Sequence, residues 1–580
     1  MTSLQDHFSE AAVPVSFSGM AGLYAPVRDG VDAAVLFVSP WALEDMCVRK
    51  FWRVMSERLT KHGIASLRFD LPGTGDSLDP DFSEGGIALW ENAVVEATQT
   101  LRRLSGVSRI FLVGQGLGAM LAMQVAARVE GLAGIAALAP VTSGRFFLRE
   151  LSAMSRMVDD SLGLSSDYRE HQGVSIAGFV LPDEIASGLR GVDLMKMPLA
   201  PACPVLIGER ASRTSDSEFF AFLAALGTDV ERFPFDGYDA LTANPAVSVV
   251  PEAFAHAVAD WVAGHAPKEC GAVVNSPLPK APSLDGGHFI ETAVRFGDRS
   301  PLYGVLTRPA CEPKGATVLF LSTAYDRHAG WGRATATMAR DMARQGIVSL
   351  RFDNANVADS PPAPGAPDQV LYTDGPQRDL SSALDFLKAQ GAGPIVVAGR
   401  CSGAYVAFQG AVEDGRVAGA AIANPPLFHW NPDNDVDARL RSTPRALGDY
   451  GQRLLQMSTV SRLLKGEIDL IGAFLNISRA TCRRLFAPVG FFIRHYTQEG
   501  RAVHAAFHAI AERKAPLSLF YSETDPGLDH FASYFGADGK RLGEYGMATF
   551  KTVANADHNL TPACARDAFR DEVQALALRF

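Results

Sequence analysis

Residues 399–403 read GRCSG, a Gly-x-Cys-x-Gly frame centred on Cys401. The apolar run PIVVA precedes it and the helix-like stretch GAYVAFQGAVE (403–413) continues from it. A strand-to-helix turn this sharp needs glycine on both sides, and it lifts the central side chain clear of the sheet. A helix N-terminus favours the thiolate, the nucleophilic form of cysteine. The chemistry on offer is covalent: attack on an acyl carbon and formation of an acyl-enzyme. Residues 114–118 read GQGLG after the apolar run IFLV. The frame is the same, but its central residue, Gly116, has no side chain.

The elements that must carry these turns occur twice. VLFVSP (35–40) and GIASLRFDLPGTGDS (63–77) return as VLFLST (318–323) and GIVSLRFDNANVADS (346–360). Arg68 and Arg351 lie 283 residues apart, and that offset holds without a gap from Val35 to Ser77. The period is too long for a solenoid and identifies two tandem copies of a domain. A stretch rich in Pro, Gly and Ser, 265–287, reads as the linker between residues 1–264 and 288–580. In the second copy, apolar runs at 317–322, 347–352, 394–399, 417–423, 516–521 and 547–554 alternate with amphipathic patterns such as 375–389. Continuous apolar strands alternating with helices predict an α/β fold: a mostly parallel sheet flanked by helices in each copy.

Composition narrows the class. The chain has 580 residues, 47% hydrophobic and 20% charged, with a net charge of −10. These values fit a globular protein of two domains and give no footprint for nucleic acid. The 7 cysteines include no CxxC pair, which argues against a disulfide framework and a zinc site. The polar N-terminus lacks the pattern of a signal peptide, and no run of about 18 apolar residues suggests a membrane span. A reducing cytoplasm, where thiols stay free, is the expected location.

Through GRCSG, RFDNANVADS, YSETDPG and ADHNLTP, the chain resembles the α/β-hydrolase superfamily in two copies. The resemblance covers nearly everything except the linker and two cap-like insertions, about 141–200 and 425–514. It implies a nucleophile, an acid and a histidine in that chain order. Cys401 is the nucleophile, with Ser402 as a weaker rival one residue off the tip. Asp525 is the acid, with Glu523 and Asp529 as alternatives, and His558 is the base. The oxyanion donors would be the Ser402 amide and that of Thr323 or Ala324. Cysteine at the elbow is similar to dienelactone hydrolases and to some thioesterases of biosynthetic clusters. No cofactor or metal is expected.

Carried back to the first copy, these positions are Gly116 for the nucleophile, Ala211 for the acid and Ala240 for the base. Pro40 stands where Thr323 stands and has no N–H to donate. Asp216 and Asp239 are nearby carboxylates with no nucleophile to assist. The first copy therefore reads as a degenerate domain, structural or ligand-binding. Between 438 and 514, thirteen Lys and Arg face five Asp and Glu, a net of +8. Such a cap would steer an anionic acyl substrate, for instance one carried on coenzyme A or an acyl carrier, or would simply be a solvated helix face. LFHW (427–430) and LFAPVGFFI (485–493) would line an acyl pocket or form the cap's own core. Hydrolysis and transfer stay open, as does a non-catalytic scaffold with Cys401 a relic. The acyl group, the acceptor and the oligomeric state are not legible.

Overall fold

The computed structural model describes residues 12–580 apart from 28–29, 163, 165–172, 198, 244, 268–281, 299–301, 432–433, 435, 437–495 and 537. Most of the linker, most of the basic cap and the whole stretch 485–493 lie outside the described residues. The chain divides into two compact units. The first comprises Met1–Val158, Glu170–Pro313 and Tyr325–Asp368; the second comprises Asp159–Arg169, Lys314–Ala324 and Gln369–Phe580.

In the first unit, strands β1 (Val13–Phe17), β2 (Met20–Ala25), β3 (Ala33–Val38), β4 (Ala65–Phe69), β5 (Arg109–Gln115) and β6 (Leu132–Leu138) lead to the insertion at 141–200. That insertion holds the helix Gly144–Ser161, a hairpin of β7 (Val174–Ile176) and β8 (Phe179–Leu181), and the helix Asp183–Gly191. Strands β9 (Val205–Glu209) and β10 (Val230–Pro234) follow. The sheet order is β1-β2-β4-β3-β5-β6-β9-β10. It is antiparallel through β1, β2 and β4, and parallel from β4 to β10. Every residue of β3 is buried, because helices cover both faces; this is why VLFV reads as a continuous apolar run rather than an alternating one. Separate hydrophobic clusters, one around Leu36, Trp90 and Leu112 and one around Phe37, Trp52 and Phe111, serve the two faces.

The first unit also contains β11 (Ser283–Asp285), β12 (Phe289–Phe296) and β13 (Leu302–Pro309), an antiparallel ribbon. Next in the chain is β14 (Thr317–Leu321), in the second unit, and then β15 (Ser349–Phe352), which is back in the first and pairs antiparallel with β13. The second unit continues with β16 (Ile395–Arg400), β17 (Val417–Ala423), β18 (Leu517–Ser522) and β19 (Ala548–Val553). There β14, β16, β17, β18 and β19 pair in parallel in that order. The pairing repeats that of β3, β5, β6, β9 and β10. Among the described residues, no helix is long and apolar enough to cross a membrane.

The repeated RFD…DS segments meet inside the first unit, where each supplies an arginine to the other's aspartate. Arg68 pairs with Asp359 at 2.9 Å, and its repeat partner Arg351 pairs with Asp76 at 3.0 Å. Ser77 Oγ receives the Ala21 amide and donates to the Asp70 carbonyl; Ser360 does the same with Tyr303 and Asp353. His328 joins the halves, with Nε2 2.7 Å from Asp76 Oδ2 and Nδ1 2.9 Å from Asp353 Oδ1. Arg327 grips both oxygens of Asp70, and Arg49 spans Asp70 and Asp359. All these side chains are buried, so each charge is held only by its partners.

Candidate active site

Cys401 sits between β16 and the helix Ser402–Glu413, with φ 54°. Left-handed backbone at a residue with a Cβ costs roughly 1–2 kcal/mol, so the surroundings must hold it. The Cys401 amide donates to the Ala423 carbonyl at 3.0 Å, and the Tyr405 amide donates to the Cys401 carbonyl at 3.2 Å. The flanking glycines are steric necessities. A Cβ on Gly399 would meet the Gly403 carbonyl at 2.5 Å, and one on Gly403 would meet the Leu321 oxygen at 2.5 Å.

Asp525 caps the helix Pro526–Phe535. One of its oxygens accepts the Gly527 amide at 2.8 Å, and the other lies 2.5 Å from His558 Nδ1. The Asp525 side chain is fully buried, whereas that of His558 is 33% exposed. His558 also lies beside Cys401, where each acts on the other's charge. The structure thus brings Cys401, His558 and Asp525 into one chain of contacts. Glu523 and Asp529 are exposed.

The electrostatics favour a thiolate. Burial alone would raise the thiol, but His558, Arg400 and the Ser402 amide outweigh it and hold Cys401 below its ordinary value. Burial would likewise lower His558, but Cys401 and Asp525 raise it to about 10. Cys47 and Cys203 provide the contrast. Burial pushes them up to about 12 and about 11, and they are inert core residues.

Of the predicted oxyanion donors, the Ala324 amide is already engaged. The Ala324 amide donates to Ser402 Oγ at 2.7 Å, and Thr323 Oγ1 donates to the Arg400 carbonyl at 2.8 Å. For Ala324 to serve an oxyanion, Ser402 Oγ must release it.

Residues that the sequence did not single out position the histidine. Asn424, at φ 48°, donates from Nδ2 to the His558 carbonyl at 3.0 Å and accepts the Ser522 amide at 2.8 Å. Ser522 Oγ donates to the Asp557 carbonyl, and Asp557 accepts the amide and hydroxyl of Thr561. A signal for Asn424 does exist. It lies 23 residues past the elbow centre, where the first copy has Ala139, at φ 46°. Asparagine tolerates the left-handed turn and adds an amide to hold the histidine loop.

In the first copy the elbow survives without its chemistry. Gly116 has φ 55°, and its amide donates to the Leu138 carbonyl at 3.0 Å, the counterpart of the Cys401 contact. The place of the missing side chain is taken: a Cβ on Gly116 would lie 2.6 Å from Glu44 Oε2. Glu44 accepts from Gln115 Nε2 at 2.8 Å and from the Tyr238 hydroxyl at 3.3 Å. Burial pushes the Glu44 carboxyl up, against the lowering effect of Gln115, Arg210 and Tyr238. Arg210 lies over the Tyr238 ring and pairs with Asp216. Counting from the paired residues Val230 and Ala548, His558 maps to Ala240. Counting from Val205 and Leu517, Asp525 maps to Arg213, two residues beyond Ala211; Arg213 also stands at the N-cap position of its helix, but without a side-chain cap. Ala211 and Ala240 are both exposed.

Glu44 leads to a prediction. Gly116→Cys should create no second reactive thiol, because the new side chain collides with Glu44 and finds neither base nor acid. Alkylation stoichiometry checks this: the variant should gain no rapidly labelled site.

The other sequence expectations fall as follows. His328 lies in the buried ion network. Phe428 is buried against Phe408, Phe507 and Phe535, which makes it core. Trp430 stacks on Tyr372 at 4.5 Å. Among the described residues, no group of three or more His, Cys, Asp or Glu is arranged to hold a metal ion.

Residues 35–293 match the model of the alpha/beta hydrolase family, a span that includes the elbow without a nucleophile. No curated protein matches the chain. Among solved structures, a proline iminopeptidase from Mycobacterium smegmatis is 16% identical and aligns over 44% of this chain and 98% of its own, with TM-score 0.31. An esterase from Pyrococcus furiosus is 14% identical over 50% and 90%, with TM-score 0.31. Est1E from Butyrivibrio proteoclasticus is 14% identical over 44% and 98%, with TM-score 0.31. The match to the alpha/beta hydrolase family thus covers the first copy, and the second copy repeats its strand pairing and its strand–elbow–helix turn.

Proposed function

We propose that this protein is an acyl hydrolase or acyltransferase that acts on an ester or thioester through Cys401, His558 and Asp525. The observation that carries the reading is His558 standing between the Asp525 carboxylate and the Cys401 sulfur. The resting pair is thiolate and imidazolium. The thiolate attacks the carbonyl carbon, and the Ser402 amide turns to the developing oxyanion. The tetrahedral intermediate collapses, and the leaving alkoxide or thiolate takes the proton of His558. His558, now neutral, removes a proton from water or from an acceptor hydroxyl or amine, which attacks the thioester. The Cys401 thiolate leaves and the ion pair is restored. Activated esters and thioesters suit this nucleophile, because a thiolate is expelled from a tetrahedral intermediate more readily than an alkoxide. The substrate would be a small acyl compound or an acyl group on a carrier such as coenzyme A.

Rapid-quench intact mass measurement with p-nitrophenyl acetate and an acetyl thioester tests the proposal. A single acetyl on Cys401 that forms before steady state is the expected result. Turnover without that adduct, or turnover retained in Cys401→Ala, would remove Cys401 from the mechanism. No turnover and no adduct with any ester or thioester would leave a hydrolase-fold scaffold.

A further inference from the structure

Arg400 fills the variable place before the nucleophile, where the first copy has the neutral Gln115. It ends β16, and its carbonyl is fixed by Thr323 Oγ1 at 2.8 Å. Its guanidinium donates to Asn559 Oδ1 at 2.5 Å. Asn559 directly follows His558. The residue is therefore covalently joined to the nucleophile at one end and hydrogen-bonded to the histidine loop at the other. We propose that Arg400 is a positioning residue of this site, locking the His558 loop to the elbow through Asn559 while its fixed charge stabilises the Cys401 thiolate. The inference rests on Cys401 being the nucleophile.

The charge of Arg400, unlike that of His558, does not change during turnover. The imidazolium gives up its proton during each acyl transfer, so its attraction for the sulfur is lost midway. Guanidinium stays charged throughout. When the acyl-enzyme breaks down, the departing sulfur regains its negative charge beside both the re-formed imidazolium and Arg400. The groups acting on that sulfur are His558, backed by Asp525, then Arg400, then the Ser402 amide at the helix N-terminus. In the first copy the same position holds an uncharged amide bonded to Glu44, where there is no thiolate to stabilise.

The test is the pH profile of Cys401 alkylation by iodoacetamide, read by peptide mass on the full chain, with circular dichroism to confirm folding. Arg400→Gln should move the midpoint up by about one pH unit, the low end for losing a nearby opposite charge. Arg400→Lys should restore most of that shift, since it keeps the charge. Asn559→Ala should leave the midpoint within a few tenths of a unit but lower kcat, because only the tether is lost. Superimposable profiles for wild type and a folded Arg400→Gln variant would overturn the proposal. This outcome is separable from failure of the proposed function, which would appear as an ordinary thiol midpoint in the wild type itself.

Discussion

Cys401→Ala lowers acyl turnover by about 10⁴-fold or more, to the level that binding and backbone dipoles alone support. His558→Ala falls to nearly the same level, and the double variant falls no further, because the two act as one unit. The pH dependence separates them. Without His558 the thiol loses its imidazolium partner, its pKa returns toward the ordinary value of about 8.5, and residual acylation climbs with pH up to that value. Cys401→Ala shows no such rise. Asp525→Asn should retain more activity than either, because the thiolate–imidazolium contact survives while the ring loses its anionic anchor. Steady-state rates from pH 5 to 10 on the three variants, with an acetyl thioester, check this pattern.

Arg351→Ala destabilises the first unit by about 3–5 kcal/mol, the range for breaking a buried ion pair from one side. Arg351 pairs with both Asp76 and Glu291, and all three are buried. Removing the arginine leaves two carboxylates without their shared cation. The pH dependence follows from His328. Burial would lower it, yet Asp76 and Asp353 raise it to about 9. A raised histidine contributes its stability fully below its unfolded value near 6.5 and loses it as pH rises through about 9. Urea unfolding at pH 6 and pH 10 should therefore show a loss in wild type that His328→Gln lacks. Equal stability of Arg351→Ala and wild type would mean that the network is not what holds the repeated segments.

The strands were legible because sheet strands covered on both faces must be apolar throughout; VLFV and VLFL, 283 residues apart, are such strands. The elbow was legible because its glycines are sterically forced and neighbouring in sequence. Asp525 and His558 were legible as polar residues at the ends of apolar strands. Contacts made across the fold were not legible. Nothing local to Glu44 shows that it fills the space beside Gly116, because that depends on where the helix Leu43–Lys61 packs. The repeat displayed Arg68, Asp76, Arg351 and Asp359 as two matching pairs. It gave no sign that each arginine crosses to the other copy's aspartate, since exchange leaves the pattern of each copy unchanged. Nothing in the sequence around His328 marks it for an ion network, and only the fold supplies its two carboxylates. The acid position of the first copy depends on strand register, which puts it at Arg213 rather than Ala211.

One side chain per molecule, Cys401, acts as an activated nucleophile in the proposed reaction. Iodoacetamide labelling of the native chain at pH 6, followed site by site by peptide mass, tests it most directly. One fast thiol is expected, Cys401, labelled well ahead of the exposed Cys311 and Cys564, and slowed to their rate by His558→Ala. Labelling of Cys401 no faster than Cys311 and Cys564 in the wild type would contradict it.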